Sequence, residues 1–136
     1  MTGLGGQGLI VGVSPLIPHF ELGEERSDAG VDIVNVSGEI HVSTAPRFSR
    51  RLNAVIASGK TMLVLDLSAV EFIDSTGLSV LLSGLRLVNQ RHGRMALVCT
   101  NPTVLRIFEI TSLDATFDIF ADRPGAIAHL AEGMSR

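Results

Sequence analysis

The run Thr61-Met62-Leu63-Val64-Leu65-Asp66-Leu67 constrains the fold of this chain more than any other stretch. Its apolar residues do not alternate with polar ones, so a strand built from them buries both faces and belongs in the middle of a sheet. Parallel neighbours of such a strand are reached through crossovers of a dozen or more residues, usually helices. The sequence supplies one immediately. Beyond Asp74-Ser75-Thr76-Gly77, the residues Leu78, Leu81, Leu82, Leu85 and Val88 recur at helical spacing until His92-Gly93 stops them.

The same order repeats on either side. Residues 16–22 supply a first strand, and Val31, Ile33, Val34 and Val36 form a β-branched second strand that Gly38 ends. Ser43 or Thr44 caps a helix beginning near Pro46, with Ala45, Phe48, Leu52, Val55 and Ile56 facing inward until Gly59. Met95-Ala96-Leu97-Val98-Cys99 is another buried strand, which makes Cys99 a small apolar core residue rather than a redox sensor. Asn101-Pro102 starts a helix carrying Val104, Leu105 and Phe108 inward, Phe117–Phe120 is a short strand, and Asp122 caps a final helix with Ala126, Ile127 and Leu130 on one face. Strands alternating with helices predict an α/β fold, mostly parallel where the crossovers are helical.

At 136 residues, 46 % hydrophobic and 18 % charged, the chain can bury a core as one domain. Residues 1–15 are set apart as a flexible Gly-rich extension: Gly3, Gly5, Gly6, Gly8 and Gly12 weaken any spanning helix, and no Lys or Arg precedes Leu9-Ile10-Val11 as a signal peptide requires. The folded domain is therefore residues 16–136, with no membrane segment expected. The net charge of −3 arises in residues 1–30, where Glu21, Glu24, Glu25 and Asp28 stand against Arg26; the remainder is balanced and offers no electrostatic footprint for nucleic acid. A lone cysteine excludes an intrachain disulfide and a multi-cysteine metal site, in keeping with a reducing cytoplasm.

The densest group of unusual residues is Glu71-Phe72-Ile73-Asp74-Ser75-Thr76-Gly77-Leu78, read as a polar loop where a buried strand hands over to a helix. Asp74 or Ser75 serves as N-cap and Gly77 allows close packing, but capping alone does not account for two hydroxyls beside a carboxylate. A nucleophile elbow needs glycine where Ile73 stands, and His41, His92 and His129 cannot be placed near Ser75 from sequence. A phosphate-cradling loop ending in Gly-Lys-Ser/Thr is absent, the one lysine being Lys60. Ser75 remains as a substrate for another enzyme. A phosphate there adds about −1.5 to −2 charge, favoured by the helix N-terminus by about 0.3–1 kcal/mol and opposed by Asp74.

Residues 64–78, Val-Leu-Asp-Leu-Ser-Ala-Val-Glu-Phe-Ile-Asp-Ser-Thr-Gly-Leu, together with Val-Ser-Gly-Glu-Ile at 36–40 and Val-Cys-Thr-Asn-Pro at 98–102, resemble the STAS domain of bacterial anti-sigma factor antagonists. The resemblance covers about residues 16–132 and implies a mixed sheet of four to five strands with helices packed largely on one side. It also implies partner switching. The unphosphorylated antagonist binds an anti-sigma factor that is also a serine kinase and frees a sigma factor; phosphorylation reverses this, and a separate serine phosphatase resets the switch. By resemblance the acceptor is Ser75, and Glu39, His41, Ser43, Thr44, Asp74, Thr76, Gly77 and Leu78 form the partner surface. ATP and magnesium belong to the kinase, so the chain itself needs no cofactor or metal and is not an enzyme. His41 stands where the family usually has Asp, exchanging a fixed negative charge for a side chain that titrates near neutrality. The alternatives are a STAS subunit of another assembly, such as a stressosome scaffold or a lipid-transport complex, and a serine hydrolase using Ser75.

Overall fold

The computed structural model describes residues 19–134; the Gly-rich extension and the first residues of the strand expected at 16–22 lie outside them. The elements in chain order are β1 (Phe20–Arg26), β2 (Asp32–Ile40), α1 (Ala45–Ala57), β3 (Met62–Ile73), α2 (Ser75–Gln90), β4 (Arg94–Val98), α3 (Pro102–Ile110), a 3-10 turn (Leu113–Ala115), β5 (Asp118–Phe120) and α4 (Arg123–Met134). Among the described residues the strands form one five-stranded sheet in the order β1-β2-β3-β4-β5. β1 is antiparallel to β2 and every other pair is parallel. β3 lies in the centre, as its unbroken apolar run requires.

The two faces of β3 enter different cores. Leu63, Leu65 and Leu67 pack under α1, α2 and α3 with Phe48, Leu52, Leu78, Leu81, Val104 and Phe108. Val64 faces the other way and joins Val31, Ile33, Ala96 and Val98 beneath Ala126 and Leu130 of α4. Three helices thus cover one face and one covers the other. Each fully buried leucine or phenylalanine contributes about 1.5–3 kcal/mol relative to exposure, which makes the larger core the main support of the fold. Cys99 is 3 % exposed and belongs to that core.

Three local expectations are corrected. Gly38 does not end β2, which continues to Ile40. Its φ of 99° is open to glycine without strain, and a Cβ there would collide with the His19 carbonyl. The glycine absorbs a register shift between Gly38 and Glu39 while Glu39 N–H still donates to His19 O at 2.9 Å. Residues 68–73 are strand, not loop, because β3 keeps pairing with β2 through Ala69, Val70, Phe72 and Ile73 after β4 has ended. Finally, neither Ser43 nor Thr44 caps α1 through its side chain. Thr44 holds the N-cap position, but its hydroxyl donates to Glu39 O at 2.7 Å and accepts from His41 N–H at 3.0 Å. It closes the β2–α1 turn.

Candidate functional site

The β3–α2 junction is a single residue. Ile73 ends the strand, Asp74 is extended at φ −116°, and Ser75 opens the helix. Asp74 acts at both ends of its backbone. Its N–H donates to Ile40 O at 3.1 Å, tying the junction to the end of β2. Its Oδ1 accepts from Thr76 N–H at 2.9 Å and Gly77 N–H at 3.2 Å, and also from the Thr76 hydroxyl. Partial burial pushes this carboxyl upward, but those hydrogen bonds, with a smaller attraction from His41, hold it below the ordinary aspartate range. The N-cap is therefore Asp74, kept as an anion.

Gly77 explains how the helix can start so close to the sheet. A Cβ at this position would lie 2.6 Å from Ile73 Cγ1 and 2.7 Å from Ile40 Cγ2. With Leu78 buried beside it, the first turn of α2 sits on the ends of β2 and β3.

These contacts distinguish the two hydroxyls of the junction. Thr76 is engaged with Asp74. Ser75 is exposed; its carbonyl accepts from Ser79 Oγ at 3.0 Å, while among the described residues nothing holds its own hydroxyl. No histidine lies within hydrogen-bond reach of it among those residues. His129 is on α4 across the sheet, with Nε2 at 2.8 Å from Arg94 Nη2 and 3.1 Å from Asp118 Oδ2. His92 follows the far end of α2, about 25 Å away at 1.5 Å rise per residue.

The end of β2 forms the second rim. His41 Nδ1 accepts from Ser43 N–H at 3.2 Å, which leaves Nε2 to carry the proton toward Glu39 Oε1 at 3.1 Å in the neutral ring. The His41 ring lies 6.3 Å from that of Phe72, and Glu39 sits opposite Phe72 in the strand register. Glu39, His41, Asp74 and Ser75 thus gather at one end of the sheet. Of the remaining residues picked out from the sequence, Ser43 and Thr76 are exposed there, while Thr44, Gly77 and Leu78 are buried and support the face from beneath.

Two residues of this face escaped the sequence reading: Val42, 70 % exposed, and Phe72, 43 % exposed. The available signal was negative. Val42 fits neither the β2 nor the α1 core pattern; Phe72 gave no signal, because strand alternation would put it on the same face as buried Val70, and only the irregular pairing of β3 with β2 turns it outward. Among the described residues no group of three or more His, Cys, Asp or Glu is arranged to hold a metal ion, and no helix is long and apolar enough to cross a membrane.

The mixed five-stranded sheet with the Asp-Ser-Thr-Gly junction at the tip of its central strand defines the class: the chain belongs to the STAS domain family, whose model matches residues 25–126. Within it, the "Anti-sigma F factor antagonist" of Paenibacillus polymyxa is 32 % identical over 79 % of this chain and 92 % of its own length. The "Anti-sigma-F factor antagonist RsfB" of Mycobacterium tuberculosis is 32 % identical over 76 % of this chain and 84 % of its own. The crystal structure of an anti-sigma factor antagonist from Mycobacterium paratuberculosis superposes with a TM-score of 0.73 at 33 % identity, covering 82 % of this chain and 94 % of that one.

Proposed function

We propose that this chain is an anti-sigma factor antagonist whose binding is switched by phosphorylation of Ser75. The observation that carries the reading is the division of labour at the β3–α2 junction: Asp74 and Thr76 satisfy the helix start, and Ser75 presents an exposed, unengaged hydroxyl. In the unmodified state the face formed by Ser75, Thr76, Ser43, Glu39 and His41, with Val42 and Phe72, binds an anti-sigma factor and so frees its sigma factor in the cytoplasm. That partner is also a serine kinase. The Ser75 oxygen bonds to the γ-phosphorus of the kinase's ATP as the bond to the β-phosphate oxygen breaks, the hydroxyl proton passes to a base of the kinase, and ADP leaves. A serine phosphatase later hydrolyses the ester with water. The chain is ligand and substrate, with no turnover of its own.

Phosphorylation reverses binding because a dianion is placed in an interface beside Asp74, which is held ionised. Removing an unpaired charge from water costs several kcal/mol, against about 8 kcal/mol for a micromolar complex, so occupancy falls by orders of magnitude. The test is affinity capture on the Ser75→Ala protein, followed by incubation of the wild-type chain with the captured kinase and ATP. A kinase that also binds a sigma factor, with phosphate mapping to Ser75, is the expected result. Phosphate on Thr76 or elsewhere with none on Ser75 overturns the assignment.

A further inference from the structure

A second surface lies away from the phosphorylation face, at the free edge of the sheet. Among the described residues β1 pairs with β2 on one side only, which makes it an edge strand. His19 O accepts from Glu39 N–H, and the antiparallel register then turns the backbone groups of Glu21, Gly23 and Glu25 toward β2 and those of Phe20, Leu22 and Glu24 outward. Arg51 Nη2 reaches the Leu22 carbonyl at 3.3 Å, as that alternation requires.

Beside this edge runs a groove of about 430 Å³, lined by Phe20, Glu21 and Leu22 of β1 and by Arg47, Arg50 and Arg51 of α1, one carboxylate residue against three arginines. The three guanidinium groups are exposed and, among the described residues, none is ion-paired. Arg47 lies 5.1 Å from the centre of the Phe20 ring, and Arg51 is spent on a neutral carbonyl. The acidic side chains of β1 are occupied elsewhere in two of three cases, Glu24 by Lys60 and Glu25 by Arg123 and Asn35.

We propose that this edge accepts an extended acidic segment of a partner protein as a sixth strand, its backbone pairing with β1 and its carboxylates meeting Arg47, Arg50 and Arg51. A strand meets both halves of the surface, the outward backbone groups and the unneutralised arginines; a small anion meets only the second. Residues 1–18 of this chain carry no acidic side chain and do not complement the arginines. A second copy would bring a β1 whose Glu24 and Glu25 are already paired, leaving Glu21 alone to meet three arginines.

The probe is a fluorescein-labelled peptide alternating glutamate with threonine, titrated into the full-length chain, with a lysine-for-glutamate peptide as control. Saturable binding of the glutamate peptide alone is expected, weakened about tenfold or more by Arg50→Glu and by rising salt. Glu24→Pro removes one outward N–H and no sheet hydrogen bond, and should weaken binding similarly while leaving the melting temperature near that of the wild type. Should that variant fail to fold, slowed hydrogen exchange at Leu22 and Glu24 of the wild type on adding peptide reads the same contact. Binding of both peptides alike, or indifference to Arg50→Glu, overturns the proposal. So does an unslowed edge with inorganic phosphate competing, which would mean a simple anion site. Self-association of the unliganded chain abolished by Arg50→Glu would give the groove to a second copy instead.

Discussion

At the scale of single residues, the Asp74 carboxylate decides how the junction behaves. Its pKa is held below the unfolded value of about 3.9, so it contributes stability that is fully present above that pH and is lost as pH falls through the lowered folded value. Asp74→Ala should therefore lower the unfolding free energy by about 1 kcal/mol at pH 7, and urea titrations should show the deficit shrinking once pH falls below the unfolded value of about 3.9. Ser75→Ala should change stability by less than about 0.5 kcal/mol in the same titrations, because the residue is exposed and another side chain makes the cap. A deficit as large as that of Asp74→Ala would make Ser75 structural. The junction was legible from its residue types, since a carboxylate, two hydroxyls and a glycine in that order leave few other uses. Which hydroxyl stays unengaged was not legible, because Asp74 can reach either from sequence spacing alone; only the extended backbone at Asp74 directs its oxygen to Thr76.

At the scale of elements, one side chain at the start of α4 ties that helix to the two strands β3 and β1. Arg123 Nε donates to Asp66 Oδ2 at 2.6 Å and its Nη1 to Glu25 Oε1 at 3.2 Å, spanning β3 and β1 from the start of the helix. Asp66 is the single polar residue of the apolar run in β3. Burial pushes its carboxyl up, but bonds from the Ser68 hydroxyl, Arg123 and Ser68 N–H bring it below the usual range. Arg123→Met should destabilise the domain by about 2 kcal/mol at neutral pH, leaving the buried carboxylate without its cation. Because the wild-type advantage depends on an ionised Asp66, thermal unfolding of the two proteins should converge as pH falls below about 4. Hydrogen exchange in α4 should rise in the variant before that in β3 does. The helical crossovers were legible because their apolar spacing is regular. The far half of β3 was not: Ser68, Ala69, Glu71 and Phe72 are exposed where β4 no longer flanks them, and a strand paired on one side with only Val70 and Ile73 buried reads like a polar loop.

At the scale of the whole molecule, the larger core places its chemistry out of reach. Cys99 lies within it, and burial pushes its thiol upward despite a hydrogen bond from the Asn101 backbone. A thiol reagent should leave the native protein unlabelled until denaturant unfolds it; rapid labelling at neutral pH would show an open core. Ser75→Asp should keep the wild-type melting temperature within a few degrees while losing affinity for the anti-sigma kinase proposed as its partner, which circular dichroism and a binding titration measure side by side. The Asp74 cap gives this separation a temporal meaning. Since the helix start does not depend on the serine, the proposed modification would require no rebuilding of the junction. Under that proposal the lifetime of a stored signal would be set by how quickly a phosphatase finds and cleaves one ester. The domain would then be a one-bit memory whose retention time is written in the abundance of its enzymes.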